Sequence, residues 1–184
     1  MKLIILDRDG VINYDSEAYI KNVSEWRPLP GSIAAIARLS QAGYSVVVAT
    51  NQSGLSRGLF GLDELDAIHH KLRGLVEAAG GRIDGIYYCP HVPEEGCSCR
   101  KPAPGLLQLI AEDFQADLRG VPLIGDSLRD LEAGMELGCR LILVRSGKGR
   151  VTEKQLLDPG NNLPFADVAV YDDLSGAVAA LLST

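Results

Sequence analysis

Short runs of β-branched and aliphatic residues alternate along the chain with segments in which apolar residues recur at helical spacing. Six of these runs predict strands, at 2–6, 45–49, 83–89, 121–125, 140–144 and 167–171. Strands of a parallel sheet read as continuous apolar runs because both faces are covered, and each needs a crossover helix to reach the next strand. The alternation therefore predicts an α/β fold with a doubly wound, mostly parallel sheet and helices on both faces.

The helical segments carry their apolar residues on one face, as amphipathic helices do. They begin after Gly31, near Leu65, after Pro104, at Leu128 and at Leu174. Three further segments fit neither period and are expected to be loops, at 10–30, 90–102 and 148–164. Ligands of parallel sheets bind beyond the carboxyl ends of strands. The first two of these segments directly follow predicted strands and are therefore candidates for function.

Length and composition limit the kinds of protein that this chain can be. The 184 residues are 46% hydrophobic and 23% charged, which suits one buried core, so we expect a single domain over 1–184. A net charge of −6 and the lack of a basic block argue against nucleic acid or a membrane surface as partner. The N-terminal apolar run is too short for a signal peptide or a spanning helix. We expect a cytoplasmic monomer acting on a small molecule.

Polar and charged residues follow three of the predicted strands. Asp7 and Asp9 come after the first strand, the run Thr50-Asn51-Gln52-Ser53 after the second, and Asp126 and Asp130 after the fourth. Taken singly, each group is also typical of a polar turn or of a helix N-terminus. Together, they predict carboxylates and hydrogen-bond donors at one edge of the sheet.

Arg100 and Lys101 stand just before the third predicted helix. Cations at a helix N-terminus are disfavoured by the helix dipole, so a negative group is expected beside them. A phosphate is the simplest candidate, since helix N-termini commonly bind phosphate.

The order of these groups resembles the four motifs of the haloacid dehalogenase superfamily of phosphatases, and the resemblance covers nearly the whole chain. It implies a Rossmann-like fold without a large cap domain. Three strings are similar to its capless, zinc-loop subgroup: Asp7-Arg8-Asp9-Gly10-Val11-Ile12-Asn13, Thr50-Asn51-Gln52-Ser53-Gly54, and Cys89-Pro90-His91 with Cys97-Ser98-Cys99-Arg100-Lys101-Pro102.

The resemblance implies a covalent phosphatase mechanism. Asp7 would attack phosphorus and form an aspartyl phosphate, as carboxylate nucleophiles do. Asp9 would protonate the leaving oxygen and then activate water, so we expect its environment to raise its pKa toward neutrality. Thr50 and Lys101 would stabilise the transferring phosphoryl group.

The resemblance also implies a catalytic Mg²⁺ ion, which prefers oxygen ligands. Its ligands would be the Asp7 side chain, the Asp9 backbone carbonyl and Asp126. Asp130, one helical turn after Asp126, would orient its neighbours rather than bind the ion directly.

The substrate that the resemblance implies is a heptose bisphosphate used in nucleotide-heptose synthesis for lipopolysaccharide or another surface polysaccharide. Its anomer is left open. The main alternative is histidinol phosphate, a cationic substrate for which Glu94 and Glu95 could supply acids near the pocket. Arg100 suits a second phosphate better. The substrate contacts implied are Asp15, Tyr19, Thr50, Asn51, Gln52, Ser53, Arg100 and Lys101.

Four potential metal ligands, Cys89, His91, Cys97 and Cys99, cluster in the segment 89–102. Three thiols and one imidazole form a typical set for a closed, tetrahedral structural Zn²⁺ site. Free thiols or a disulfide are the alternatives. A zinc ion there would stiffen an inserted loop that has little core of its own and would hold Arg100 and Lys101 in place.

Two further features of the sequence have alternative interpretations. A phospho-aspartate receiver module also combines acids, a hydroxyl and a lysine, but its lysine comes last, whereas Lys101 precedes Asp126 here. His69 and His70 lie in the second predicted helix without a partner motif, so we expect them to be packed or solvated.

Overall fold

The computed structural model of the protein describes residues 2–165 and 167–183, and a parallel sheet lies at its centre. Within these residues the sheet has six strands: β1 Lys2–Leu6, β2 Tyr44–Asn51, β3 Gly85–Cys89, β4 Pro122–Gly125, β5 Arg140–Val144 and β6 Ala169–Tyr171. Their order is β3-β2-β1-β4-β5-β6. The chain thus extends the sheet to one side of β1 and then restarts on the other, which confirms the predicted doubly wound fold.

Five helices lie where the apolar pattern predicts them: α1 Ser32–Gln41, α2 Leu62–Ala78, α3 Gly105–Asp113, α4 Leu128–Glu136 and, at the end of the chain, α6 Leu174–Leu182. A sixth, α5 Gly149–Leu157, corrects the expectation of a loop over 148–164. Only Gly149 and Thr152 of α5 are buried, whereas the side chains of Val151 and Leu157 are 62% and 74% exposed. Because so little of the helix packs inward, its sequence carries no apolar stripe.

Strand β1 divides the core into two layers because its side chains alternate between the faces of the sheet. Ile4 and Leu6 belong to one hydrophobic cluster, and Leu3 and Ile5 to the other. The first cluster includes residues of α1, α2 and α6, and the second includes residues of α3 and α4. Helices therefore cover both faces of the sheet, as predicted.

The topology brings the ends of three strands together. β1 pairs with β2 on one side and with β4 on the other, all parallel, so the segments after Leu6, Asn51 and Gly125 leave the sheet at the same edge. The long segment after β1 is anchored by Trp26, which is fully buried in the first cluster. No helix in the described part of the chain is long and apolar enough to cross a membrane.

Candidate active site

A polar pocket of about 240 Å³ opens at this edge of the sheet. All of the residues predicted to bind substrate line it: Asp15, Tyr19, Thr50, Asn51, Gln52, Ser53, Arg100 and Lys101. The predicted nucleophile Asp7, the predicted acid Asp9, and Asp126 and Asp130 line the same pocket. Residues from four loops far apart in sequence thus meet in one place.

Lys101 lies between two carboxylates at the base of the pocket. Its Nζ is 2.9 Å from Oδ1 of Asp7 and 2.6 Å from Oδ1 of Asp130, and it also donates to the carbonyl oxygen of Ala49 at 2.7 Å. Burial alone would lower the pKa of Lys101, but the charges of Asp130 and Asp7 outweigh it and raise the pKa above its usual range. The negative groups beside this lysine are therefore two carboxylates of the protein itself.

Asp130 organises the start of α4 in addition to pairing with Lys101. Its Oδ2 accepts hydrogen bonds from the backbone N–H groups of Asp126 and Ser127 and from the Ser127 hydroxyl. Burial would raise its pKa, but Lys101 and these hydrogen bonds lower it below the ordinary value. Asp130 is thus a charged residue with its oxygens already engaged, in agreement with an orienting role.

The carboxylates of Asp7 and Asp126 lie in the pocket with their burial and mutual repulsion only partly offset by hydrogen bonds and cations. Burial and the charge of Asp130 raise the pKa of Asp7 to about 7, although Lys101 opposes this. Burial and the charges of Asp7 and Asp130 raise the pKa of Asp126 to about 8. One oxygen of each of Asp7, Asp126 and Asp130 lies within 4.8 Å of the others, so the group can hold a metal ion. A divalent cation is the partner that allows such neighbouring carboxylates to be charged together.

Two glycines approach Asp126 closely from the backbone side. A Cβ atom on Gly10 or on Gly147 would collide with Oδ2 of Asp126, and both residues have positive φ angles. The same oxygen accepts a hydrogen bond of 2.8 Å from the backbone N–H of Lys148. Glycine at both positions therefore lets the loops after β1 and β5 approach the Asp126 carboxylate, which the loop after β5 holds through the Lys148 N–H.

The environment of Asp9 contradicts the expectation of a raised pKa. Burial does act to raise it, but the charge of Arg8 and hydrogen bonds from Asn13, Arg8 and Gln52 outweigh burial and lower the pKa below its ordinary value. Asn13 Nδ2 is 2.9 Å from Oδ1, and Gln52 Nε2 is 3.0 Å from Oδ2. The sequence predicts a raised pKa for Asp9, but it does not show that several donors converge on that carboxyl.

The polar side chains at the end of β2 form hydrogen bonds with two different partners. Thr50 is buried, and its Oγ1 accepts a hydrogen bond from Gln52 Nε2 at 2.9 Å. Asn51 instead pairs with the backbone of Lys101: Nδ2 donates to the carbonyl oxygen and Oδ1 accepts from the N–H, each at 3.0 Å. Asn51 lines the pocket, but its amide group fixes the position of Lys101.

Cys89, His91, Cys97 and Cys99 converge beside the pocket, with one ligand atom of each within 4.8 Å of the others. The three sulfur atoms lie 3.0 to 3.6 Å apart, and Nδ1 of His91 lies 3.3 and 3.5 Å from two of them. Sulfur ligands of a tetrahedral zinc ion are about 3.8 Å apart, given Zn–S bonds of about 2.3 Å. The residues thus fit a four-ligand metal site, and all four cysteines of the chain are free of disulfides.

The loop that carries this cluster also carries Arg100. The guanidinium of Arg100 donates to the carbonyl oxygen of His91 at 3.1 Å. Burial and the nearby charge of Arg129 lower the pKa of Arg100. The two guanidiniums therefore repel each other at the pocket wall, an arrangement that suits a bound anion.

Arg129 and Lys148 line the pocket but were not predicted as site residues. Arg129 stands between Asp126 and Asp130, where an arginine is typical of an ordinary exposed position on a helix. Lys148 follows β5, and its Nζ lies 3.4 Å from Oδ2 of Asp15 across the pocket rim. Its position shortly after a strand is the signal that could have pointed to it, although the sequence pattern predicts only a loop over 148–164.

Two family models match the chain. One, described as polynucleotide kinase 3 phosphatase, matches residues 2–127, and the other, described as HAD-hydrolase-like, matches residues 98–177. Between them they span both halves of the sheet and all of the strand-end motifs.

Named relatives are similar over almost their whole length. A D-glycero-β-D-manno-heptose-1,7-bisphosphate 7-phosphatase of Pseudomonas putida is 56% identical over 170 residues, which cover 92% of this chain and 96% of the relative. The protein of the same name from Pseudomonas aeruginosa is 51% identical over 180 residues, with coverages of 98% and 97%. The matches therefore cover nearly all of this chain and of both relatives.

A solved structure agrees with the whole fold. The D,D-heptose 1,7-bisphosphate phosphatase of Bordetella bronchiseptica, complexed with magnesium and phosphate, is 51% identical and superimposes with a TM-score of 0.94. The match covers 100% of this chain and 99% of the other.

Proposed function

Because the chain belongs to the haloacid dehalogenase-like phosphatases, and within them to the D-glycero-β-D-manno-heptose-1,7-bisphosphate 7-phosphatase family, we propose that it removes the 7-phosphate of that sugar. The chain is a phosphoric monoester hydrolase. One observation carries the proposed chemistry: Asp7 lies at the base of the pocket within 2.9 Å of the Lys101 ammonium. We propose that the single domain over residues 1–184 performs the whole reaction.

In the first step, a carboxylate oxygen of Asp7 forms a bond to phosphorus while the bond from phosphorus to the sugar oxygen breaks. Asp9 donates its proton to that leaving oxygen. The unliganded surroundings lower the pKa of Asp9, so this step needs the approaching phosphate dianion, whose charge disfavours the carboxylate and raises the pKa. The products are the sugar monophosphate and an aspartyl phosphate on Asp7.

In the second step, water attacks phosphorus and the bond to Asp7 breaks, which releases inorganic phosphate. Asp9, now a carboxylate, takes the proton from the attacking water. The donors around Asp9 already favour its charged form, as a base requires. Thr50 donates a hydrogen bond to the phosphoryl group in both steps. Lys101 turns the donor that it gives Asp7 toward a phosphoryl oxygen, and both residues stabilise the charge that develops there.

The carboxylates of the site suit Mg²⁺, which prefers oxygen ligands. The Asp7 side chain, the backbone carbonyl of Asp9 and Asp126 would hold the ion, while Asp130 remains paired with Lys101. When bound, Mg²⁺ would neutralise the negative charges that Asp7 and the substrate phosphate bring together. The raised pKa values of Asp7 and Asp126 support a cation here.

We assign the cluster of Cys89, His91, Cys97 and Cys99 to a structural Zn²⁺ ion. Four protein ligands leave no open position, so the ion would not take part in the reaction. It would instead fix the loop from which Arg100 and Lys101 enter the pocket. Metal-binding thiols persist in a reducing compartment, and we accordingly assign the protein to the cytoplasm.

The substrate would be oriented by both ends. The phosphate that is not cleaved would bind Arg100 and Arg129, whose mutual repulsion an anion relieves. Asp15 and Tyr19 would contact sugar hydroxyls from the opposite wall. The relatives are named for the β anomer, and we propose the same anomer. We also propose that the product is used in nucleotide-heptose synthesis for surface polysaccharide.

Two other substrates are disfavoured by particular observations. Histidinol phosphate has only one phosphate, so it would leave the paired guanidiniums of Arg100 and Arg129 without a second anion. Glu94 and Glu95 are exposed and lie outside the residues that line the pocket, and Glu95 caps its own turn through the N–H of Val92. A 3′-phosphorylated polynucleotide needs a basic surface, and the chain has a net charge of −6. The receiver alternative is not supported, since the named relatives are phosphatases.

The test is a comparison of kcat/KM for phosphate release with Mg²⁺ present. The substrates are both anomers of heptose 1,7-bisphosphate, histidinol phosphate and a 3′-phosphorylated oligonucleotide. The proposal expects the β-bisphosphate to be preferred by at least about tenfold, as pocket contacts discriminate substrates. Equal or faster turnover of histidinol phosphate or of the oligonucleotide would overturn the substrate assignment and leave the catalytic residues as proposed.

A further inference from the structure

Arg8 is fully buried beside the pocket, and its guanidinium is held at both ends. Toward Asp9, Nε lies 3.0 Å from Oδ1 and Nη2 lies 3.2 Å from Oδ2, a two-pronged contact that covers both carboxylate oxygens. At the other end, Nη1 lies 3.2 Å from Nε2 of His69. The proposed acid and base is thus linked through Arg8 to an imidazole on helix α2.

His69 is 61 positions away from Arg8 in sequence and is only 8% exposed. A guanidinium has donors but no acceptor, so Nε2 of His69 must be the unprotonated acceptor, and the ring proton lies on Nδ1. Burial and the charge of Arg8 lower the pKa of His69 to about 3. The imidazole is therefore neutral at any pH at which the enzyme works.

We infer that His69 is a positioning residue for the reaction: by accepting from Nη1, it holds Arg8 in the rotamer that grips both oxygens of Asp9. The inference rests on the proposed function, because it takes Asp9 as the group that moves the proton. His69 itself does not line the pocket and has no contact with the reacting atoms.

The need for an acceptor follows from the burial of Arg8. A buried guanidinium N–H without a partner is costly, so loss of the imidazole would favour a different rotamer of Arg8. Any such rotation breaks the paired contact with Asp9, since Nε, Nη1 and Nη2 are fixed in one plane. Asp9 would keep Asn13 and Gln52 but would lose the contact that spans its two oxygens.

The test compares His69→Leu, which removes the acceptor, with His69→Gln, which restores an acceptor oxygen. His70→Leu is the matched control, because it makes the same change one residue along α2 at an exposed position. Steady-state kinetics, apparent Mg²⁺ affinity and thermal melting are measured for each protein. All rates are taken with the phosphate monoester that the wild-type enzyme hydrolyses best.

We expect His69→Leu to lower kcat about tenfold with KM and Mg²⁺ affinity nearly unchanged, because a displaced catalytic group costs rate rather than binding. His69→Gln should recover most of the rate, and His70→Leu should match the wild type. If His69→Leu does not fold, His69→Met takes its place, since it has the same chain length as Gln but only a weak acceptor.

The inference is overturned if His69→Leu, or His69→Met in its place, keeps the wild-type kcat. It is equally overturned if His69→Gln is as slow as that variant. It is also overturned if kcat, KM and Mg²⁺ affinity change together, which is the pattern of a general structural defect. Failure of the proposed function would appear separately, as wild-type enzyme that does not prefer the heptose bisphosphate.

Discussion

The ammonium of Lys101 lies 2.9 Å from the carboxylate of Asp7, although 94 positions separate the two residues in sequence. Asn51 makes the contact possible, because its side-chain amide bonds to both backbone groups of Lys101. Asp130 holds the same ammonium from the other side at 2.6 Å. The predicted nucleophile therefore has a fixed cation beside it before any substrate arrives.

Removal of this cation should slow the reaction strongly. We expect Lys101→Met to lower kcat by about 10²- to 10³-fold, the usual effect of losing one group that stabilises transition-state charge. Lys154→Met, at an exposed position of α5, is the control and should retain wild-type rates. Phosphate release under saturating substrate is the measurement. A loss of less than about threefold would be too small for a transition-state contact.

The acidic group of the pocket predicts a dependence of magnesium binding on pH. Asp7 and Asp126 have pKa values of about 7 and about 8 in the metal-free protein, against an ordinary value of 3.8. Between pH 4 and these values the folded state holds protons that the unfolded chain has lost, so the free energy of unfolding falls as pH rises. Mg²⁺ must displace those protons, so its affinity should increase as pH rises toward about 8.

Melting curves with and without Mg²⁺ test this dependence. The increase in Tm on adding Mg²⁺ should be larger at about pH 8.5 than at about pH 5.5. Asp126→Asn, which removes one of the two carboxylates, should show a much smaller increase at either pH. An increase that is equal at both pH values in the wild type would contradict the proposed coupling of protons and metal.

The zinc assignment predicts a metal-dependent loop. Cys97→Ala should lose the bound zinc, about one ion per chain in the wild type, because three ligands bind it far more weakly than four. We also expect Cys97→Ala to lower the free energy of unfolding by about 2 kcal/mol. For a chain of this size, that loss corresponds to a decrease of roughly 4 to 8 °C in Tm. Cys139→Ala is the control, since Cys139 is a buried thiol outside the cluster.

Metal content, Tm and kcat distinguish a structural zinc from a dispensable one. Cys97→Ala should lose zinc and activity together, because the loop also carries Lys101. Cys139→Ala should keep its zinc even if it melts earlier. Wild-type zinc content in Cys97→Ala, or full activity after the zinc is lost, would refute the assignment.

Arg129 predicts a difference between bisphosphate and monophosphate substrates. If Arg129 binds the phosphate that is not cleaved, Arg129→Ala should raise KM for heptose 1,7-bisphosphate about tenfold or more, as loss of a charged contact does. KM for heptose 7-phosphate, which lacks that group, should change little. Arg38→Ala, on the exposed face of α1, serves as the control. Equal effects on the two substrates would place Arg129 outside the second phosphate site.

The sequence is sufficient to predict the doubly wound sheet, the polar motifs at the strand ends and the cysteine cluster. Each of these depends on residues that lie close together along the chain. Helix α5 could not be predicted because it buries only Gly149 and Thr152 and so lacks an apolar stripe. The pKa of Asp9 was predicted in the wrong direction because its sign depends on Arg8, Asn13 and Gln52. Gln52 arrives from a different strand, so the sequence does not show that it meets Asp9.

Long-range partners explain the other omissions. The sequence does not distinguish His69 from other helix residues, because its partner Arg8 is 61 positions away and the contact through Nε2 is visible only in the structure. Arg129 likewise can be recognised as a candidate anion ligand only from its position near Arg100, which belongs to the cysteine loop. Both interactions join segments that no local periodicity connects.

Phosphorus NMR that follows the hydrolysis of D-glycero-β-D-manno-heptose 1,7-bisphosphate tests the proposed reaction itself. Asp7→Asn is run in parallel, since its amide cannot act as the nucleophile. We predict that the wild type releases inorganic phosphate from position 7 and leaves the 1-phosphate intact. Asp7→Asn should be slower by about 10⁴-fold or more. Loss of the 1-phosphate would be incompatible with the proposed 7-phosphatase activity, and comparable turnover by Asp7→Asn would be incompatible with Asp7 as the nucleophile.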